Sequence, residues 1–228
     1  MAYPGLAERV GQVRGLIASH QGRRGWTHPV TIVAVTKGHE AEAVRAACAA
    51  GLTVIGENRV QEALAKQELL RDCPVQWHLI GTLQRNKAKQ AIGRFALIHS
   101  VDRLDLAVEL NRRAAPDAVQ DILVQVNCSA EPQKGGAEPS ELPALLEGVR
   151  PLEHLRVRGL MTMAELTEDP QRQRAAFRRL RELRDQAAQR GDSLPELSMG
   201  MSADYLVAVE EGATMVRLGT LLFGARAV

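Results

Sequence analysis

The chain has 228 residues, 45% of them hydrophobic, and a formal net charge of +2. This composition excludes a disordered chain, and so small a net charge argues against a nucleic-acid binder. No run reaches 18 apolar residues, so no membrane-spanning helix is expected. The first twenty residues carry Glu8, Arg9 and Arg14 and lack the apolar run of a signal peptide, so a cytoplasmic protein is expected. Cys48, Cys73 and Cys128 are too widely spaced for a zinc site or a disulfide framework. They are expected as small core residues in a reducing compartment.

Taken in order, Leu6, Val10, Val13 and Leu16/Ile17 recur at helical spacing and predict an amphipathic helix over residues 5–20. A loop follows over 21–29, with Gly22, Gly25 and Pro29. The run from Val30 to Val35 reads as a buried parallel strand that reaches Lys37. Helices are predicted over 41–50, 59–71, 84–92 and 104–113, with strands over 53–55, 75–80, 96–101 and 122–126 between and after them. Residues 130–139 are rich in glycine, proline and charge and predict a loop. A helix over 142–149 is expected to take Ser140 as its cap. A strand is predicted over 157–163. Asp169 and Pro170 open a long helix that Gly191 closes. Strands over 197–199 and 215–218 flank a last helix over 203–211.

Eight strands alternating with helices imply a parallel sheet with right-handed crossovers, and this length suits a TIM-type (β/α)8 barrel formed as one domain over residues 1–228. The competing architecture is an open doubly wound sheet. It is disfavoured because no Gly-x-Gly-x-x-Gly follows the first strand. In a barrel the chemistry sits beyond the C-terminal ends of the strands. Lys37, Asn58, His78, Met161, Ser198 and Arg217 all fall at or near such ends.

Lys37 shares a strand face with Thr31, Val33 and Val35. The plain structural reading is a lysine snorkelling at the strand mouth. Yet only five of the 29 basic residues are lysine. Lysine, unlike arginine, can lose its proton and condense with a carbonyl as a Schiff base. The loops Ser198-Met199-Gly200-Met201-Ser202 and Arg217-Leu218-Gly219-Thr220 follow the last two strands, where barrels commonly bind phosphate. Glycines that merely permit tight turns are the structural alternative. A strand-end lysine and a phosphate cup across one barrel mouth point to a phosphorylated aldehyde.

These residues lie in segments that resemble one family. They are Ala34-Val35-Thr36-Lys37, Gly56-Glu57-Asn58-Arg59-Val60-Gln61-Glu62, Trp77-His78-Leu79-Ile80-Gly81 with Gln84 and Asn86-Lys87, and Gly159-Leu160-Met161-Thr162-Met163. They continue with Leu197-Ser198-Met199-Gly200-Met201-Ser202 with Asp204, and Met215-Val216-Arg217-Leu218-Gly219-Thr220 with Phe223-Gly224. The chain resembles the pyridoxal phosphate homeostasis protein family, single-domain relatives of the alanine racemase barrel. The loop Glu131-Pro132-Gln133-Lys134-Gly135-Gly136 is the least regular match.

The resemblance implies that Lys37 holds pyridoxal 5′-phosphate (PLP, a form of vitamin B6) as an aldimine. It implies a phosphate held around Ser198, Gly200, Ser202, Gly219 and Thr220, with Arg217 facing the pyridine nitrogen and Asn58 and His78 lining the ring. Met161 is expected as wall. For His78 a packed core histidine is the structural alternative. Three functions are weighed: a protein that stores, buffers and delivers PLP, an amino-acid racemase-like enzyme, and a phosphate-ligand barrel without this cofactor. The racemase relatives draw a second catalytic base from a further domain and a partner subunit. Neither Tyr3 nor Tyr205 lies in an evident base position, so the carrier is preferred and no catalytic residue is assigned. The six histidines make no His-x-x-x-His pair, so no metal site is expected. The expected partners are PLP and apo PLP-dependent enzymes, with no nucleic acid and no membrane, and the chain is expected to be a monomer. The arginines of the helix after Asp169 are expected as a solvated face.

Overall fold

The computed structural model describes residues 3–129, 131 and 135–225. Eight strands, β1 (Thr31–Val35), β2 (Val54–Glu57), β3 (Gln76–Leu79), β4 (Leu97–Val101), β5 (Gln120–Gln125), β6 (Leu155–Met161), β7 (Glu196–Met201) and β8 (Met215–Leu218), follow one another in space as in sequence. All are parallel, and β8 pairs with β1 to close a barrel. The open-sheet alternative is thereby excluded. The helices are α1 (Leu6–Arg24), α2 (Ala41–Ala49), α3 (Val60–Leu69), α4 (Ala88–Ala91), α5 (Leu104–Arg113), α6 (Leu142–Val149), α7 (Pro170–Gln189), α8 (Tyr205–Glu210) and α9 (Thr220–Phe223).

Each helix turns an apolar stripe to the barrel. In α1 the buried residues are Leu6, Val10, Val13 and Ile17, the spacing of one helix face. They join a continuous core with outward-facing strand residues such as Ile32, Ala34 and Ile55. The barrel lumen holds a separate, smaller cluster of Val33, Leu97, Leu123, Met161 and Met215, one residue from each of five strands. Successive strand residues point to opposite faces, so this layer forms the floor on which the rim residues stand.

Several boundaries differ from expectation for identifiable reasons. Helix α1 runs on through Arg24, because Arg23 and Arg24 suit a helix C-terminus and the chain turns only at Gly25, at φ 72°. The helix expected over 84–92 is a 3₁₀ turn, Arg85–Lys87, followed by the single turn α4. The cap of α6 is Glu141, with no side-chain cap bond, so Ser140 does not cap it. Asp169 does cap α7, accepting from the Gln171 N–H at 2.8 Å. Strand β6 ends at Met161, two residues earlier than expected. The short α9 was not foreseen. Lys134 lies outside the described residues, as does much of the loop around it.

The arginines of α7 are more than a solvated face. Arg174 bonds Glu210 at 2.5 Å and Glu211 at 2.9 Å, and Arg181 bonds Glu211 at 3.2 Å. His20 of α1 meets the same Glu210 at 2.8 Å, so α1, α7 and α8 share one charged junction. Among the described residues no helix is long and apolar enough to cross a membrane.

Barrel closure leaves no room at Gly159, where β6 meets β7. A Cβ there would lie 1.9 Å from the Glu196 carbonyl oxygen. Gly159→Ala is expected to destabilise the protein by about 2–3 kcal/mol in urea unfolding, the cost of overpacking against rigid backbone. A loss below about 1 kcal/mol would show that the two strands part easily.

Candidate functional site at the barrel mouth

Lys37 stands on a ladder. Val33 lies in the lumen floor, Val35 lines the cavity above it, and Lys37 lines the same cavity two residues beyond the end of β1. Here the alternation of a strand carries a cation to the rim. The cavity has a volume of about 420 Å³. Its polar lining includes Lys37, Asn58, Gln125, Ser202, Arg217 and Thr220.

Arg217 rises from β8, where it is paired in register with Val33 of β1. It is almost fully buried, yet each end of its guanidinium fork has a partner. One Nη donates to Ser198 Oγ at 2.7 Å and the other to the Thr162 carbonyl at 2.8 Å. Burial pulls its pKa down to about 10, opposed by Asp204. It therefore stays a cation at neutral pH and can only donate.

Behind Arg217 runs a buried chain of hydrogen bonds. Ser198 Oγ lies 2.9 Å from His99 Nδ1, and His99 Nε2 lies 3.0 Å from His78 Nδ1. The arginine sets its direction. Ser198 accepts from Arg217, so its proton is available to His99 Nδ1. A neutral His99 then carries its proton on Nε2 and donates to His78. This arrangement leaves no donor in these bonds unsatisfied, as burial requires. Burial holds His78 down at about 4, and His99 is held well below its ordinary value by burial, then by His78 and Arg217.

The two loops expected to form a phosphate cup do meet. Gly219 N–H and Leu221 N–H both donate to Ser202 Oγ, each at 3.3 Å, so neither amide is vacant. Gly200 lets the first loop turn. Its φ is 92°, and a Cβ there would lie 2.6 Å from Ala208 Cβ. Asp204 Oδ1 accepts from the Met201 N–H at 2.5 Å, and this holds the turn.

Of the residues singled out from sequence, Lys37, Asn58, Ser202, Arg217, Gly219 and Thr220 line the one cavity. His78, Met161, Ser198 and Gly200 do not. His78 and Ser198 belong to the buried chain, and neither is among the residues that line the cavity. Met161 belongs to the lumen floor, and Met163, one layer higher on the same face, lines the cavity instead. Met161 lies in register with Ser198 of β7, below the cavity. Gly200 serves the turn and not the lining. Sequence reasoning missed His99, although a polar residue inside the apolar strand Leu97–Val101 was the available signal. It also missed a pair at the rim. His39 lines the cavity, its Nδ1 lies 3.2 Å from Tyr3 Oη, and Phe223 packs on both rings. No sequence pattern joins Tyr3 to His39.

Residues 22–227, which hold all eight strands of this closed parallel barrel and the cavity at its rim, match the family described as alanine racemase, N-terminal domain. Relatives resolve it further. A protein of Pseudomonas aeruginosa is 47% identical over 225 residues, covering 97% of this chain and 96% of its own. One of Aquifex aeolicus is 51% identical over 187 residues, covering 81% of this chain and 82% of its own. Both are named pyridoxal phosphate homeostasis protein. The structure of PipY from Synechococcus elongatus, with PLP bound, matches with a TM-score of 0.85 at 40% identity, over 96% of this chain and 100% of that one. The chain belongs to the pyridoxal phosphate homeostasis protein family.

The buried histidines make stability depend on pH. In the folded protein His78 stays neutral down to about 4 and His99 stays neutral well below its ordinary value, whereas in the unfolded chain each protonates near 6.5. The unfolded state therefore binds more protons as pH falls from about 6.5 towards 4, and stability is lost in that window. The expected loss is up to about 1.4 kcal/mol per pH unit for each histidine. Urea midpoints measured between pH 7 and pH 4 check this, and His78→Gln should flatten the slope. A slope unchanged in that variant would contradict it.

Proposed function

We propose that this protein binds PLP through Lys37 and acts as a carrier that stores, buffers and delivers the cofactor. The observation that carries the reading is the lumen of adjacent strands β1 and β8, where Lys37 and Arg217 reach one cavity beside Ser202, Gly219 and Thr220. This donor set fits a phosphorylated aromatic aldehyde: an amine for the aldehyde, a cation for an acceptor on the ring, and a loop of small residues and hydroxyls for the phosphate. The names of the relatives and the PLP held by PipY support the same ligand.

Each residue has a distinct part. Lys37 would supply the amine that condenses with the aldehyde, with loss of one water. Ser202 and Thr220 offer hydroxyls to the phosphate, and the Gly219 and Leu221 amides can exchange their 3.3 Å bonds to Ser202 for stronger charge-assisted ones. Asn58 borders the ring. Its backbone packs against Gly81, where a Cβ would lie 2.3 Å from the Asn58 carbonyl oxygen. Arg217 would donate to the pyridine nitrogen and so would favour its unprotonated form. Bound PLP supplies an electron sink to an attached amine, and that sink is poor when its ring nitrogen is unprotonated. Ser198, His99 and His78 keep Arg217 in place. A weak sink and a reversible lysine bond suit holding and release better than turnover.

One observation favours a second reading, racemase-like chemistry. The imidazole of His39, bonded to Tyr3, lines the cavity two residues from Lys37 and supplies a titratable group at the mouth. Tyr205, in contrast, is 6% exposed and belongs to the core.

Borohydride reduction of the PLP-loaded protein, digestion and mass spectrometry should find the pyridoxyl group on the peptide that contains Lys37. Lys37→Ala should lose the imine absorption while retaining its circular dichroism. An adduct mainly on Lys87 or Lys134 would sink the assignment.

The loaded protein should also activate a PLP-dependent apo-enzyme on mixing, and it should show no appreciable racemisation, transamination or decarboxylation of the common amino acids. Robust turnover of one of them, abolished by Lys37→Ala and by His39→Ala, would replace the carrier by the racemase-like reading.

A further inference from the structure

Directly behind the barrel wall at Lys37 lies a buried ion pair that the binding site does not use. Glu57, the last residue of β2, is fully buried. Its Oε1 accepts from Thr36 Oγ1 at 2.6 Å and from Lys66 Nζ at 2.6 Å. Lys66, on α3, also donates to the Thr36 carbonyl at 2.7 Å. The other oxygen, Glu57 Oε2, is buried with no hydrogen-bond partner among the described residues. Stability alone does not account for this arrangement. Desolvating two charges costs about as much as their attraction returns, and an unbonded carboxylate oxygen adds to the cost.

What the pair holds is informative. The Thr36 carbonyl belongs to the peptide bond that leads into Lys37, and Glu57 immediately precedes Asn58. One ion pair therefore grips both turns that project side chains into the cavity. We propose that Glu57 and Lys66 are positioning residues for Lys37, fixing the turn that carries its amine and tuning that amine through their two buried charges. The proposal rests on Lys37 being the residue that bonds PLP.

The charges have predictable signs. Lys66→Met leaves a buried carboxylate without its cation, which favours the protonated form of the Lys37 nitrogen. Glu57→Gln leaves a buried ammonium, which disfavours it. Among the described residues, the other charged and titratable groups that line the same cavity are Arg217 from β8 and His39 from its own turn, with Tyr3 bonded to His39 and Asp204 acting on Arg217. All of these are unchanged in both variants.

The test is an absorption titration of the PLP-loaded protein against pH, with borohydride trapping and peptide mapping of every variant. The imine midpoint should rise in Lys66→Met and fall in Glu57→Gln, each by about half a pH unit or more. It should return close to that of the parent protein in the double variant, which lacks both charges. Midpoints that stay put while thermal stability drops, or that move in the same direction, would reduce the pair to a structural contact and overturn the proposal. Where a charge variant fails to fold, Thr36→Val decides the question, because it keeps both charges and removes one bond to Glu57. Trapping at Lys37 should then slow several-fold, and an unchanged rate overturns the proposal. If the parent protein shows no adduct on Lys37, the binding reading itself fails and this inference falls with it.

Discussion

The pairing of β8 with β1 is the constraint on which the molecule depends. Thr31 to Ala34 lie in register with Met215 to Leu218, and that alignment closes the barrel. Closure leaves no edge in the sheet and gives every strand an inside and an outside. It also brings Lys37 and Arg217 to adjacent strands although they are 180 residues apart in sequence. Neither residue alone marks a site. A half-buried strand-end lysine is ordinary, and a buried arginine without a ligand is only an expensive core residue.

The lumen then works as a series of layers. Apolar side chains from five strands form the floor. Beside them, with Arg217 in register with Val33, His78 with Leu97 and Ser198 with Met161, stand polar groups that satisfy one another: the two histidines, Ser198 and the guanidinium of Arg217. At the top the cavity opens among residues that serve a ligand. This order follows from desolvation. Groups that find partners within the protein can lie deep, whereas groups that exchange partners with a ligand must reach the mouth. The neutral histidines fit this logic, since two buried imidazolium ions beside an arginine would repel it and each other.

Outside the barrel wall a different set of charges organises the helices. Glu210 and Glu211 collect arginines from α7 and a histidine from α1. Glu57 and Lys66 do the same on a smaller scale behind Lys37. In both places arginine or lysine stems pack on apolar surface while their heads find a carboxylate, so the two faces of the wall use charge for different ends.

Much was legible in the sequence, because it depends on local rules. Apolar periodicity and glycine punctuation mark the strands and most of the helices, and Asp169-Pro170 marks the start of α7 as a cap should. The strand-end positions of Lys37, Asn58, Arg217, Gly219 and Thr220 follow from the alternation of elements, as does the barrel itself. Periodicity identifies a face, however, and not a depth. Whether Met161 or Met163 reaches the cavity depends on how high each stands in the lumen, which the register of β6 with β5 and β7 decides. His78 likewise belongs to the buried chain and not to the cavity lining. The partnerships His99 with Ser198, Glu57 with Lys66, and Tyr3 with His39 join residues far apart in sequence or on different elements. No short-range pattern encodes them. They exist only once barrel closure has removed water from between the groups and left each polar atom to find its partner within the protein.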